Sequence, residues 1–333
     1  MRLTRAIERT RQRWQRPRCP EPPPDLKGRR VLLVYGFPRF GEVVLLAPLL
    51  QALRRAGAAD PVQVVLRGAG AATLSALRVP VRPIDGEGPV REVKADVAVD
   101  LTHRADFDGH AWLAASCAAW TAGFVPAFDH PRARTLHRPV LDRRPWGLNH
   151  WIDSSMEPFA PFRLQPKLPL QMPPLPRRRD DGWPTGEGPR LLLVPGARDP
   201  DRRWPPWVFE ALGRRHVQAR RGRVLVVGAP SEASLVERVQ RSVGRRCRRY
   251  LGGLTGLVER VRRADAVVSN DTGTMQVALT LGIPTVCLFS TMRPEVWGPH
   301  PKSTAPAWIV SGNRDGLDPS SLDDRLDAVL EAS

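Results

Sequence analysis

The sequence predicts an α/β chain made of two doubly wound halves. Two blocks of alternating apolar strands and helix-period segments, beginning at Arg30 and Arg190, predict it, as does the proline-dense stretch that separates them. A third observation is that the candidate ligand loops in each block follow directly on a strand. In open α/β sheets ligands bind outside the carboxyl ends of the strands.

In the first block, Val31–Tyr35 is a continuous apolar run, as expected of a strand buried on both faces of a parallel sheet. A turn with Gly36, Pro38 and Gly41 follows, then helical periodicity over Val43–Ala56 ending near Gly57. Val62–Leu66 reads as a strand and Ala71–Leu77 as a helix. Val97–Leu101 is a further strand and Ala111–Thr121 a helix of small residues. From Pro126 to Pro189 the pattern dissolves, apart from a short helix within Asn149–Phe162. Pro173–Arg179 reads as a linker.

In the second block Leu191–Val194, Val224–Val227, Ala266–Val268 and Thr285–Phe289 read as strands. Trp207–Arg220, Ser231–Val243, Leu254–Arg263 and Met275–Leu281 read as helices. Ser320–Glu331 forms a final helix. The expected organisation is a basic, Pro-rich extension over 1–29, an N-terminal domain over 30–165 and a linker over 166–189. A second Rossmann-like domain over 190–310 follows, and a C-terminal helix over 311–333 is expected to return to the N-terminal domain.

The 333 residues carry 51 Lys plus Arg against 34 Asp plus Glu, a net charge of +17. That excess attracts polyanions: nucleic acid, an anionic membrane or a phosphorylated substrate. No helix-turn-helix, finger or RNP motif is present, which argues against nucleic acid. Residues 1–18 hold seven arginines and one acid, with Leu3, Ile7, Thr10 and Trp14 at helical spacing. They read either as a basic amphipathic helix on an anionic membrane or as a disordered basic tail. No run approaches the roughly 18 apolar residues of a membrane span, and no apolar segment of a secretory signal follows the first arginines. The expected location is cytoplasmic, peripheral at the inner face of the membrane. The four cysteines, at 19, 117, 247 and 287, are far apart, which suggests neither a disulfide framework nor zinc, and a reducing compartment. Two lie in apolar runs and should pack as small hydrophobes. The histidines have no metal-ligand spacing, and no metal is expected. His103, after the third strand, could line a cleft or lie on the surface.

Three loops carry candidate chemistry. Strand Ala266–Val268 runs into Ser269-Asn270-Asp271-Thr272-Gly273-Thr274 and then a helix. Asn, Asp and Thr are N-cap formers, Gly273 admits close approach, and a helix N-terminus attracts anions. Gly282 closes this helix and Pro284 stops it. The same turn also reads as an ordinary capped connection. The second loop, Pro195–Pro205, carries Arg198, Arg202 and Arg203, whose forked guanidinium donors suit a diphosphate. A solvated charged loop is the alternative. The third, Gly36–Glu42, has the glycine spacing of a P-loop but lacks its Lys-Ser/Thr. Glu42 there is either a carboxylate that suits a helix N-terminus or a general base facing a cleft.

Together these segments resemble the heptosyltransferase family of glycosyltransferases, the ADP-heptose:lipopolysaccharide type of glycosyltransferase family 9. Val267–Ala278, Leu281–Thr285 and Trp297-Gly298-Pro299 carry the most specific likeness, joined by Arg202-Arg203-Trp204-Pro205 and by Val31–Leu53 with Gly41-Glu42 and Pro48-Leu49-Leu50. The resemblance implies a GT-B fold and an inverting, metal-independent transfer of a heptose-like sugar. The implied donor is a nucleotide-diphosphate sugar, ADP-linked by this likeness and held by the 190–310 domain with the acceptor on the 30–165 domain, and no cofactor is needed. The acceptor is a glycan or glycolipid of lipopolysaccharide type. By the same likeness Glu42 falls where the family places its catalytic Asp, and Arg202 at a phosphate-binding Lys. Asp271, Thr272 and Gly273 match the diphosphate turn, with Thr274 beside them. Glu232 falls where a Glu contacts the donor ribose, and Gln276 where the family usually has His. These departures keep two other readings open: a tailoring transferase acting on a soluble small molecule, and a nucleotide-sugar binder that no longer transfers.

Overall fold

The computed structural model describes residues 25–331, apart from 38, 103–106, 127, 129, 131–132, 134–135, 142–148, 176–181 and 312–318. The basic segment 1–18, Cys19 and His103 lie outside the described residues.

The continuous apolar runs become central strands. In the first half, β1 (Val31–Tyr35), β2 (Val62–Leu66), β3 (Val81–Asp85), β4 (Val97–Asp100), β5 (Trp120–Val125) and β6 (Arg138–Leu141) form one parallel sheet, in the order β3-β2-β1-β4-β5-β6. The second half repeats the plan. Its strands are β7 (Arg190–Val194), β8 (Arg223–Val227), β9 (Cys247–Tyr250), β10 (Ala266–Asn270), β11 (Thr285–Phe289) and β12 (Ala307–Ser311). They lie in the order β12-β11-β10-β7-β8-β9, again parallel. Each order reverses once, between β1 and β4 and between β7 and β10. These are the topological switch points where α/β sheets open a crevice for ligands.

Several expectations shift. The helix read over Val43–Ala56 is two pieces, α1 (Phe40–Val44) and α2 (Ala47–Arg55), with Pro48 near the start of the second. The helix after β2 is α3 (Gly70–Ala76). The run read as one helix over Ala111–Thr121 is α4 (Gly109–Ala115), followed by the start of β5. The short helix in the proline-dense stretch is α5 (Trp151–Met156), which continues into a 3-10 turn over Glu157–Phe162. β3, β6, β9 and β12 are additional strands. In the second half α6 (Pro206–Arg220), α7 (Ala233–Val243), α8 (Leu254–Val261) and α9 (Gly273–Leu281) follow the expected order.

The C-terminal helix α11 (Pro319–Glu331) does not return to the N-terminal half. Leu322 and Leu326 are buried in the core of the second sheet with Leu212, Val268 and Val286, and Arg220 pairs with Asp327. Among the described cysteines Cys247 and Cys287 are buried, while Cys117 is exposed at a left-handed position with φ 49°. Burial pushes the Cys247 thiol up to about 12 and also raises that of Cys287.

One apolar cluster spans both halves. It joins Leu33 and Val99 of the first sheet, Val43 and Leu74 of its helices, Val258 and Val277 of α8 and α9, and Leu192 and Val267 of the second sheet. Helices α1 and α9 pack together, as do α3 and α8. The two switch points are therefore held facing one another by a shared core.

Candidate active site

The turn after β10 is tied to its surroundings through Asn270, which is fully buried. Its side-chain oxygen accepts the Trp204 N–H at 3.1 Å, and its amide donates to the Pro195 carbonyl at 2.8 Å. Asn270 thus fastens the Pro195–Pro205 loop to the end of β10. The helix cap is Thr272, not Asn270 or Asp271. Its backbone is extended, and its hydroxyl accepts the Met275 N–H at 3.3 Å. Gly273 and Thr274 occupy the first turn of α9, where helix geometry offers their N–H groups no carbonyl. Thr272, Gly273 and Thr274 are partly exposed. At the other end Gly282 caps α9 with φ 78°, as its sequence position predicts.

Arg202 lies against this turn. Its guanidinium reaches Asp271 at 3.3 Å and Asp199 at 3.2 Å. Burial raises the Asp271 carboxyl above its ordinary range, Arg202 pulls it back, and Asp199 adds to the rise. Arg203 donates from Nε to the Ala197 carbonyl at 2.7 Å, which turns its side chain back along the same loop. Arg198 is exposed at the start of this segment.

Glu232, after β8, accepts the Ala229 N–H at 2.8 Å. Its carboxylate lies over Gly196 so closely that a Cβ there would sit 2.2 Å from Oε1. The loops following β7, β8 and β10 are therefore neighbours at one sheet edge and present Arg202, Glu232 and the α9 N-terminus together. Gln276 is buried one turn along α9, and its amide donates to the Trp297 carbonyl at 2.6 Å. One of its two amide N–H groups is thereby engaged within the protein.

Glu42 arrives from the first half. It is partly buried in the first turn of α1, where a carboxylate suits the helix dipole. The turn before it is shaped by Gly36, where any Cβ would strike the Phe107 ring, and α1 rests directly on α9. A Cβ on Gly41 would lie 3.0 Å from the Gly273 Cα, and one on Gly273 would lie 2.4 Å from the Phe40 ring. Only glycine at both positions permits this approach, which sets Glu42 beside the α9 turn.

Two side chains behind Glu42 carry no sequence motif. The Tyr35 hydroxyl donates to the Glu42 carbonyl at 2.8 Å and accepts from Trp151 Nε1 at 3.3 Å. Trp151 in turn stacks on Trp297 of the second half, with centroids 4.6 Å apart. Buried aromatic residues read as core in a sequence, and only the contact across the halves distinguishes these.

Among the described residues no group of His, Cys, Asp and Glu side chains is arranged to hold a metal ion, and no helix is long and apolar enough to cross a membrane.

Residues 163–314 match the family model of glycosyltransferase family 9 (heptosyltransferase). Among solved structures, the chain is similar to the glycosyl transferase family 9 protein of Veillonella parvula, with a TM-score of 0.75 at 16% identity over 93% of this chain and 99% of that one. It is also similar to the Escherichia coli ADP-heptose lps heptosyltransferase II, with a TM-score of 0.68 at 17% identity over 91% of this chain and 98% of that one. The E. coli heptosyltransferase WaaC, solved with ADP, gives a TM-score of 0.68 at 16% identity over 90% and 99%. No curated protein matches the chain by sequence. The two facing parallel sheets share the GT-B architecture of these heptosyltransferases.

Proposed function

Since residues 163–314 match the family model of glycosyltransferase family 9, we propose that this chain is a glycosyltransferase that moves a heptose-like sugar from ADP-heptose to a lipopolysaccharide-type acceptor, with inversion and without a metal ion. The observation that carries this reading is the contact of Gly41 with Gly273. It sets the one carboxylate of the N-terminal switch-point loop beside the helix N-terminus and arginine loop of the other half.

In this reading the donor diphosphate lies on the N–H groups of Gly273 and Thr274, with Arg202 and Arg203 beside it. Glu232 faces the ribose, and Arg198 stands at the mouth of the same loop. The Glu42 carboxylate takes the proton from an acceptor hydroxyl. The hydroxyl oxygen attacks the anomeric carbon as the bond to the diphosphate oxygen breaks on the opposite face. The departing negative charge is met by the guanidinium groups and the α9 dipole. Gln276 gives one of its two amide N–H groups to the Trp297 carbonyl and stands one turn behind the diphosphate turn as a further donor-side residue.

Two measurements test the reading. A thermal-shift panel of ADP, GDP, UDP and ADP-heptose should raise the melting temperature for the adenine nucleotides, since ligands of the native state alone must stabilise it. ADP release from ADP-heptose with a lipopolysaccharide core acceptor should fall by about 100-fold or more in Glu42→Gln, the scale of a lost general base. A panel with no shift removes the nucleotide site. Full turnover in Glu42→Gln removes the base. Binding without turnover in the parent chain would leave a nucleotide-sugar binder. The basic segment 1–18 supports peripheral association with anionic membrane at the cytoplasmic face. Deleting residues 1–24 should weaken sedimentation with anionic vesicles and leave ADP binding intact.

A further inference from the structure

As a base on one half, Glu42 must be held in register with a donor bound by the other half. Its helix α1 is only five residues long and has no side-chain cap, so helix rigidity alone is a weak support. The support comes from behind. Tyr35 ends β1 and is fully buried, and its hydroxyl donates to the Glu42 carbonyl at 2.8 Å. The same hydroxyl accepts the indole N–H of Trp151, at the start of α5, at 3.3 Å. Phe37 wedges the pair, with its ring 5.1 Å from Tyr35 and 5.2 Å from Trp151.

Trp151 is also where the second half makes contact. Its ring stacks on Trp297, at an interplanar angle of 24°, in the short helix α10 (Pro294–Trp297). The Trp297 carbonyl accepts the Gln276 amide at 2.6 Å, and Gln276 belongs to α9, whose first turn is the donor turn. A continuous path therefore runs from the donor helix through Gln276, Trp297, Trp151 and Tyr35 to the backbone of Glu42. Each link is a stacked ring or a hydrogen bond, and each ring is buried or partly buried.

We infer that Tyr35 and Trp151 are positioning residues that hold the Glu42 backbone against the donor helix across the seam between the halves. Neither touches substrate in this account. Both act through the placement of the base, and a displacement near 1 Å at a reacting group is enough to cost about 100-fold in rate. The inference rests on the proposed function above.

Tyr35→Phe and Trp151→Phe each remove one polar atom of the relay and keep an aromatic ring in place. With ADP-heptose and a lipopolysaccharide core acceptor, each should lower kcat by about 10- to 100-fold. The KM for ADP-heptose and the Kd for ADP should stay within about twofold, because the donor turn is untouched. The double variant should be no slower than Tyr35→Phe alone, since the indole N–H acts through the tyrosine hydroxyl. If Tyr35→Phe does not fold, Trp151→Phe carries the same expectation. Unchanged kcat, a rise in KM in place of the fall in kcat, or losses that multiply in the double variant would overturn the inference. Glu42→Gln separates this from the functional reading. If that variant is inactive while Tyr35→Phe is fully active, only the positioning role falls. If Glu42→Gln is active, or the parent chain releases no ADP, the functional reading falls first.

Discussion

Asn270 uses both ends of its amide to join two loops, and the candidate donor site depends on that joint. Its oxygen takes the Trp204 N–H and its nitrogen gives to the Pro195 carbonyl, all in a fully buried setting. Asn270→Ala would leave a buried N–H and a buried carbonyl without partners, each costing about 1–3 kcal/mol. We expect urea melts to show a loss of about 2–6 kcal/mol, together with a clear loss of ADP binding as the Arg202 loop comes away from the turn. Arg202→Ala should behave differently. It removes a charge-assisted contact worth about 1.5–3 kcal/mol, so ADP affinity measured by calorimetry should fall by roughly 10- to 100-fold while the loop stays in place. The sequence showed the residue types of this site clearly, because Asn, Asp, Thr and Gly before a helix have a known local chemistry. It did not separate their roles. Three adjacent residues can each cap a helix, and which one does so depends on the bond that Asn270 finds 66 residues away on Trp204.

At the scale of elements, the meeting of α1 with α9 depends on paired glycines. A Cβ on Gly41 would come within 3.0 Å of the Gly273 Cα, a backbone atom that cannot swing aside. Gly41→Ala should push α1 off the turn, costing about 1–3 kcal/mol as an overpacked contact. Its activity should fall further than its stability, because Glu42 moves with the helix. A urea melt and a kcat measurement on the same preparation check this, and wild-type values in both would show that the contact is dispensable. The elements that sequence reading finds and those it misses divide on a physical line. β1, β7, β10 and β11 are buried or nearly so along their whole length and appear as unbroken apolar runs. β3, β6, β9 and β12 are the sheet edges: Arg or Pro interrupts β3, β6 and β9, so no apolar run marks them, while β12 is apolar over its first four residues but only Val310 of it is buried. β5 is fully buried, yet Ser116, Cys117, Ala118 and Ala119 before it continue the small-residue composition of α4, and the boundary disappears into one apparent helix. The glycine spacing around Gly41 was visible as a tight turn, but its partner Gly273 lies in the other half, beyond any local pattern.

Across the whole molecule, the halves also meet at a polar seam that should make stability depend on pH. His150 caps α5 by accepting the Ile152 N–H on Nδ1 at 3.2 Å, and its Nε2 faces the Gly298 carbonyl at 3.0 Å. Both contacts are made by the neutral ring with its proton on Nε2. Burial pushes the His150 pKa down to about 4. The Gly298 carbonyl opposes this, the nearby His300 adds to it, and Asp153 opposes it again. The folded value lies below the ordinary 6.5, so the unfolded chain takes up the proton first on acidification. The seam's contribution is therefore complete above about pH 6.5 and is lost as pH falls through that range toward 4, with a size on the order of 3 kcal/mol. Asp153 titrates in a different window. The His300 ring bonded to it holds its carboxyl below the usual range, so its contribution disappears only in stronger acid. His150→Asn keeps a side-chain oxygen for the Ile152 N–H and removes the titrating group. Urea unfolding at pH 6.5 and at pH 4.5 should show a larger drop for the parent chain than for this variant, by about 2–3 kcal/mol. Parallel drops would place the titrating group elsewhere. Trp151 follows His150 directly and stacks on Trp297, so the same acidification should loosen the relay behind Glu42 before either sheet unfolds. Indole fluorescence compared between the parent chain and Trp151→Phe over this pH range would report that order of events, the early change being present in the first and absent in the second.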